Sequence, residues 1–176
     1  MRNLWKVSFF FLITFLALPT FAEGGKRVSR VGDRLGKLEI RDAKNQPIPL
    51  PGFGKRPILI FYADPDHPSC DFTDYLEEHP LTQQPKLLAY GIVNLKDAPL
   101  LPNAIVRAMV RAKIRKTGAA IYTDPDRLLS EGWNLGDCNN RFVFLIVDVD
   151  GTLLYFSKGE PTKKEIKEFY RVVNSL

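Results

Sequence analysis

Residues Pro57 to Thr73 read P-I-L-I-F-Y-A-D-P-D-H-P-S-C-D-F-T. Ile58 to Tyr62 is a short unbroken apolar run, β-branched and aromatic, and predicts a buried central strand. Asp64-Pro65 breaks it into a turn. Cys70 follows at the point where the next helix should begin, after Pro68-Ser69. Backbone N–H groups at a helix N-terminus favour an anion, so this position predicts a thiol of lowered pKa and raised nucleophilicity. A C-x-x-C dithiol would need a cysteine three residues earlier. That residue is His67, so no dithiol can form within this turn.

The start of the chain says where such a thiol would work. Arg2 and Lys6 precede and flank an apolar stretch, Val7 to Leu18, that ends in Pro19-Thr20-Phe21-Ala22 before the polar run Glu23 to Arg27. This is the pattern of a secretory signal peptide cleaved after Ala22, leaving residues 23 to 176 as one domain with room for an ordinary core. The apolar stretch is shorter than the ~20 residues that span a bilayer, and no other segment could cross one. The expected location is therefore periplasmic, with secretion as the alternative, and disulfides are chemically allowed there. Of the 25 basic residues, Arg2 and Lys6 leave with the signal peptide; 23 then face 20 acidic ones, a balance of +3. That is too weak to imply nucleic acid. Arg107, Arg111 and Arg115 recur four apart opposite Val106, Val110 and Ile114, which reads as a solvated helix face, with an anion or partner site as the alternative.

Working outward, strands and helices alternate. Leu38 to Ile40 opens a hairpin region turned at Lys44 to Pro47, and Pro49 to Gly54 links it to the central strand. After Cys70 a short helix, Asp71 to Glu78, stops at Pro80. A strand at Leu87 to Val93 leads to a helix at Leu101 to Lys116. A strand at Ala120 to Tyr122 precedes Asp124-Pro125-Asp126, whose carboxylates read as turn and cap residues starting a helix to Trp133. Phe142 to Val147 and Thr152 to Ser157 form a hairpin around Asp148 to Gly151, with glycine where positive φ is needed. Pro161-Thr162 opens a last helix to Asn174. Parallel β-α units followed by a hairpin and a helix predict an α/β, thioredoxin-like sandwich, a central mixed sheet flanked by helices.

The chain also resembles a known family over essentially its whole mature length. D-P-D-x-x-L-x-x-x-W at Asp124 to Trp133 and F-L-I-V-D-V-D-G at Phe144 to Gly151 are similar to thioredoxin-like envelope proteins related to peroxiredoxins. G-I-V-N-L-K-D-A at Gly91 to Ala98, W-N-L at Trp133 to Leu135, and G-E-P-T-K-K-E-I at Gly159 to Ile166 resemble the YtfJ-type periplasmic proteins. The resemblance implies a periplasmic thioredoxin-like fold with a poorly defined activity, and it does not imply catalytic cysteines. The stretch matching the cis-proline of active relatives, Cys138 to Val143, holds no proline. Cys70 falls at the spacing of a peroxidatic cysteine and Arg141 matches that family's arginine, whereas Ala63 and His67 replace its proline and threonine. Polarising a hydroperoxide would then fall to His67 and Arg141.

Cys138 is the second of two cysteines. The strand from Phe142 should run antiparallel to Ile58 to Tyr62, which brings the loop before it to the edge where Cys70 lies. A Cys70–Cys138 bond is expected. It would be either a structural staple or a redox couple in which Cys70 attacks and Cys138 resolves; the remaining reading leaves the two as free thiols or ligands. The expected function is thus envelope thiol redox homeostasis, thiol-disulfide or peroxide-linked, by Cys70 with Cys138, His67 and Arg141. Its partners would be envelope proteins, small thiols or peroxides, and no cofactor or metal is expected. The alternatives are a non-catalytic binding module with a structural disulfide and a copper-binding chaperone using His67, Cys70 and Cys138, donors that suit Cu(I).

Overall fold

The computed structural model describes residues 27–66, 70–78, 81, 86–97 and 101–176. The expected signal peptide, His67 and the helix stop at Pro80 lie outside the described residues.

Eleven elements follow one another: β1 (Glu39–Arg41), β2 (Pro47–Pro49), β3 (Ile58–Ala63), α1 (Asp71–Glu78), β4 (Leu88–Asn94), α2 (Asn103–Thr117), β5 (Ile121–Asp124), α3 (Leu128–Gly132), β6 (Val143–Val147), β7 (Leu153–Lys158) and α4 (Lys163–Val173). They form one sheet in the order β2-β1-β5-β4-β3-β6-β7. β3 pairs parallel with β4, β4 parallel with β5, and β6 antiparallel with both β3 and β7. The order explains the sequence pattern. β3 and β6 are central and covered on both faces, so they are continuous apolar runs, while β7 alternates buried and half-buried residues nearer the edge.

Alternation along β3 sorts the core into two layers. Ile58, Ile60 and Tyr62 join Leu129, Trp133, Leu135, Val143 and Leu145 on one face, closed by α3 and the segment around Leu35 to Phe53. Leu59, Phe61 and Ala63 face the other way, against Phe72 and Leu76 of α1, Phe144 of β6, and Phe169 and Val172 of α4. Phe72 fixes α1 in place, its ring edge-on to Phe169 at 5.2 Å and tilted against Phe144 at 5.4 Å.

Local chemistry sets the element ends. The β6–β7 turn closes as expected, with Gly151 at φ 88° donating its N–H to Asp148 O at 3.0 Å. A side chain at that position would press on Leu35 O, which lies 2.8 Å from an ideal Cβ. Thr162 caps α4, its N–H and hydroxyl both donating to Glu165 while the Glu165 N–H donates back. α3 starts later than Asp124-Pro125-Asp126 suggested. Arg127 occupies its cap position at φ 58°, and Asp124 reaches forward from the end of β5 to accept the N–H groups of Leu128 and Leu129 at 2.8 and 2.9 Å.

Candidate thiol site at the C-terminal edge of the sheet

β3 runs into Asp64-Pro65, and α1 begins immediately after Cys70. The Cys70 carbonyl accepts the Asp74 N–H at 3.0 Å, the first backbone bond of the helix. Thr73 fastens the same residue twice: its Oγ1 accepts the Cys70 N–H and its hydroxyl donates to Cys70 O, each at 2.8 Å. Cys70 is half-buried and packs against the core layer that contains Ala63, Phe72 and Phe144. The sequence predicted a thiol pulled down by the helix N-terminus; the structure pushes it up. Burial is the larger cause, opposed by hydrogen bonds from the Thr73 amide and hydroxyl and reinforced by the hydrogen bond and negative charge of Glu160. Glu160 arrives from the end of β7 and accepts the Phe72 N–H at 3.2 Å. A carboxylate therefore occupies the very helix end that would have stabilised a thiolate, and Asp71 and Asp74 add negative charge to the first turn.

Cys138 sits on the other side. It is 3% exposed, belongs to the layer of Ile60, Tyr62, Trp133 and Leu135, and its thiol donates to Gly136 O at 3.4 Å. Burial pushes its pKa up to about 11; Lys158 lowers it, and the charges of Asp137, Asp64 and Asp97 raise it. Both thiols are free. The expectation of a common edge holds, since Cys70 follows the end of β3 and Cys138 precedes the antiparallel β6. The expected disulfide does not form, because the two side chains enter core layers on opposite faces of the sheet. The same separation dismantles the proposed copper donors, as the two sulfurs are not brought into one site. Among the described residues, no group of three or more His, Cys, Asp or Glu is arranged to hold a metal ion.

Arg141 is exposed at the start of β6, with no hydrogen bond to Cys70 among the described residues. No cis peptide bond occurs among those residues either, so the missing proline before β6 is not replaced by another cis linkage.

Sequence reasoning missed the buried polar ends of the three parallel strands. Asp64 after β3 is 1% exposed; its Oδ2 accepts the Asn140 N–H at 2.6 Å and its Oδ1 has no hydrogen-bond partner among the described residues. Asn94 closes β4 and donates to Asp97 Oδ2 at 2.6 Å, and Arg127 donates to Asp97 Oδ1 through Nε at 2.8 Å. Asp124 closes β5 fully buried, with the Tyr62 hydroxyl donating to it at 3.3 Å. Burial raises the pKa of Asp64 and of Asp124. The sequence signal was available: Asp64, Asn94 and Asp124 each end or follow a strand at the carboxyl edge, where open α/β sheets place their ligands. Beside this edge a cavity of about 510 Å³ lies between α1 and α2, lined by Phe61, Ala63, Asp64, Thr73, Leu76 and Val106 among others.

No family model and no curated protein sequence matches the chain. Solved structures do. A pneumococcal exposed lipoprotein thioredoxin from Streptococcus pneumoniae superposes with a TM-score of 0.57 at 12% identity, over 80% of this chain and 100% of that one. The fold is thioredoxin-like. A thioredoxin-like protein from Aeropyrum pernix gives 0.58 at 18% identity, over 80% of this chain and 89% of its own. A peroxiredoxin-like protein from Aquifex aeolicus gives 0.56 at 12%, over 84% and 89%. At these identities the likeness concerns the thioredoxin fold and leaves the chemistry to this chain's own residues.

Proposed function

We propose that this chain is an exported, YtfJ-type thioredoxin-fold protein of envelope thiol redox homeostasis, working as a domain that starts at Glu23, with Cys70 as its reacting sulfur. The observation that carries this is the setting of Cys70: half-buried, immediately before α1, with its backbone N–H and C=O both held by the Thr73 hydroxyl. The neighbouring cavity, with Thr73 of the same helix turn in its wall though Cys70 itself does not line it, would receive an apolar side chain of the partner. In the reaction the Cys70 thiol loses its proton to solvent and attacks one sulfur of a partner disulfide. The partner S–S bond breaks, its second sulfur leaves as a thiolate, and Cys70 is oxidised to a mixed disulfide. A thiol then attacks the bridge and returns Cys70 to its reduced state. Disulfide exchange fits this site better than peroxide reduction, because Arg141 makes no bond to the thiol.

A second reading, a non-catalytic binding module, is favoured by Glu160, which opposes thiolate formation at the helix end. Trapping separates the two. With free thiols blocked by rapid alkylation, the wild type and Cys138→Ser should both hold envelope proteins as mixed disulfides through Cys70, and Cys70→Ser should hold none. Capture by Cys70→Ser equal to the others, or none by any of the three, would discard the redox reading and leave the binding module.

A further inference from the structure

The outward face of α2 is apolar. Val106 and Val110 point into the protein, while Ala104, Ile105, Ala108, Met109 and Ala112 are exposed, with Ile105 at 49% and Met109 at 59%, and Leu101 just before the helix at 38%. At 3.6 residues per turn these positions share an arc of about 140°. The helix has five cations and no acid: Arg107, Arg111, Lys113, Arg115 and Lys116. Arg107 and Arg111 lie half-exposed on one flank of the stripe, Lys113 on the other, and Arg115 and Lys116 at its C-terminal end. Among the described residues, Arg107, Arg115 and Lys116 pair with no carboxylate, so their charge faces outward uncompensated. Cations in a last helical turn also suit the helix dipole. That accounts for Arg115 and Lys116, and it accounts for neither Arg107 nor the exposed apolar stripe.

We infer that α2 is a membrane-surface foot: it lies along an anionic bilayer, with Leu101, Ile105 and Met109 entering the headgroup–acyl boundary and the flanking arginines and lysines meeting lipid phosphates. An apolar stripe bordered by cations is the arrangement that binds this interface. A second copy of the chain fits worse. Two such helices would bring ten positive charges together with no acid on either. A helix of 15 residues about 10 Å wide also offers at most roughly 220 Å², against the roughly 800 Å² per partner of a stable complex. Leu101, Met109 and Lys113 also line the cavity between α1 and α2, so the foot borders that cavity, but the proposal uses no step of the thiol chemistry.

The test uses the full chain and phosphatidylglycerol–phosphatidylcholine vesicles, with pure phosphatidylcholine vesicles as the reference. The apolar stretch Val7 to Leu18 contributes equally to every variant, so the readout is a ratio between proteins. Flotation should show the wild type favouring anionic vesicles, less so at raised salt. Ile105→Glu with Met109→Glu, checked for unchanged far-UV circular dichroism, should lose that preference at least tenfold. A local readout comes from Ala108→Cys in a Cys70→Ser background, labelled with an environment-sensitive fluorophore while Cys138 stays buried. Its emission should shift to the blue on anionic vesicles alone. No preference for phosphatidylglycerol, an unaffected double variant, or a silent label would overturn the proposal. So would sedimentation showing a wild-type dimer that the double variant dissolves, or a crosslinker at position 108 that captures protein and no lipid.

Discussion

Lys158→Met should speed the alkylation of Cys138 about tenfold, and the reason lies in how β7 holds the loop. Lys158 Nζ donates to Leu135 O at 2.8 Å and to Asp137 O at 3.2 Å, tying the segment that carries Cys138 to the strand beside it. Methionine keeps the apolar stem but makes neither bond. A hydrogen bond from a charged donor contributes roughly 1.5–3 kcal/mol. Because Lys158 is half-exposed, the pair together is discounted to about 1.5 kcal/mol, near the 1.4 kcal/mol that changes an equilibrium tenfold. Electrostatics pulls the other way, since the ammonium is the influence that lowers the Cys138 pKa. With a pKa near 11 the closed-state thiolate is already about one molecule in a thousand at pH 8, so reaction proceeds through the opened loop and the opening equilibrium decides the rate. The assay is a time course of iodoacetamide labelling under native conditions, read peptide by peptide by mass spectrometry. Thr162→Ala, which removes the distant α4 cap at a cost of about 1 kcal/mol, controls for global loosening and should leave the Cys138 rate nearly unchanged. An unchanged or slower rate in Lys158→Met would refute the clamp.

Two further perturbations address the acids at this edge. Glu160→Gln should lower the Cys70 thiol pKa and speed its alkylation near neutral pH, since the substitution keeps an acceptor for the Phe72 N–H and removes the charge that raises the thiol; no change would place the cause of the shift in burial alone. Asp64→Asn should raise the melting temperature at neutral pH and lose that advantage in acid. Its folded pKa is raised, so the wild type sheds stability as pH climbs from the unfolded carboxyl value through the folded one, a slope the amide lacks. A gain of equal size at every pH would contradict this.

The layout of the fold was legible because its elements announce themselves locally. β3 and β6 are uninterrupted apolar runs, the Asp148 to Gly151 turn carries its glycine, and Thr162 with Glu165 marks a helix start. What failed depended on contacts distant in sequence. Glu160 meets the helix end at Phe72 from 88 residues away, and no local pattern gives that encounter. The face reached by Cys138 was equally hidden, because its loop passes through positive φ at Asn134, Gly136 and Asn140, where the alternation that orients strand residues no longer applies. On α2 the periodicity found the buried stripe of Val106 and Val110 correctly. It misplaced the outermost face, which belongs to Ile105 and Met109, with Arg107 and Arg111 half-buried on its flank.

The position of Cys138 bears on how Cys70 would be returned to its reduced form. To reach the other face of the sheet, Cys138 must leave a layer in which it is nearly fully buried and pass the edge where Asp64 stands. That movement breaks the Lys158 bonds to Leu135 and Asp137 and the Asn140 bond to Asp64, and it exposes the lining of Trp133 and Leu135. The positive-φ residues supply hinges, yet the loop is held at both ends, by the Ser29 N–H on Asn134 O at 2.9 Å and the Gly159 N–H on Phe142 O at 2.7 Å. A thiol from solution faces no such barrier, since Cys70 is half-exposed at the start of its helix. Reduction of a Cys70 mixed disulfide by an external small thiol is therefore the cheaper route. On this reasoning Cys138 serves the core that positions the thiol edge, and the proposed reaction of Cys70 would run without it as a resolving partner.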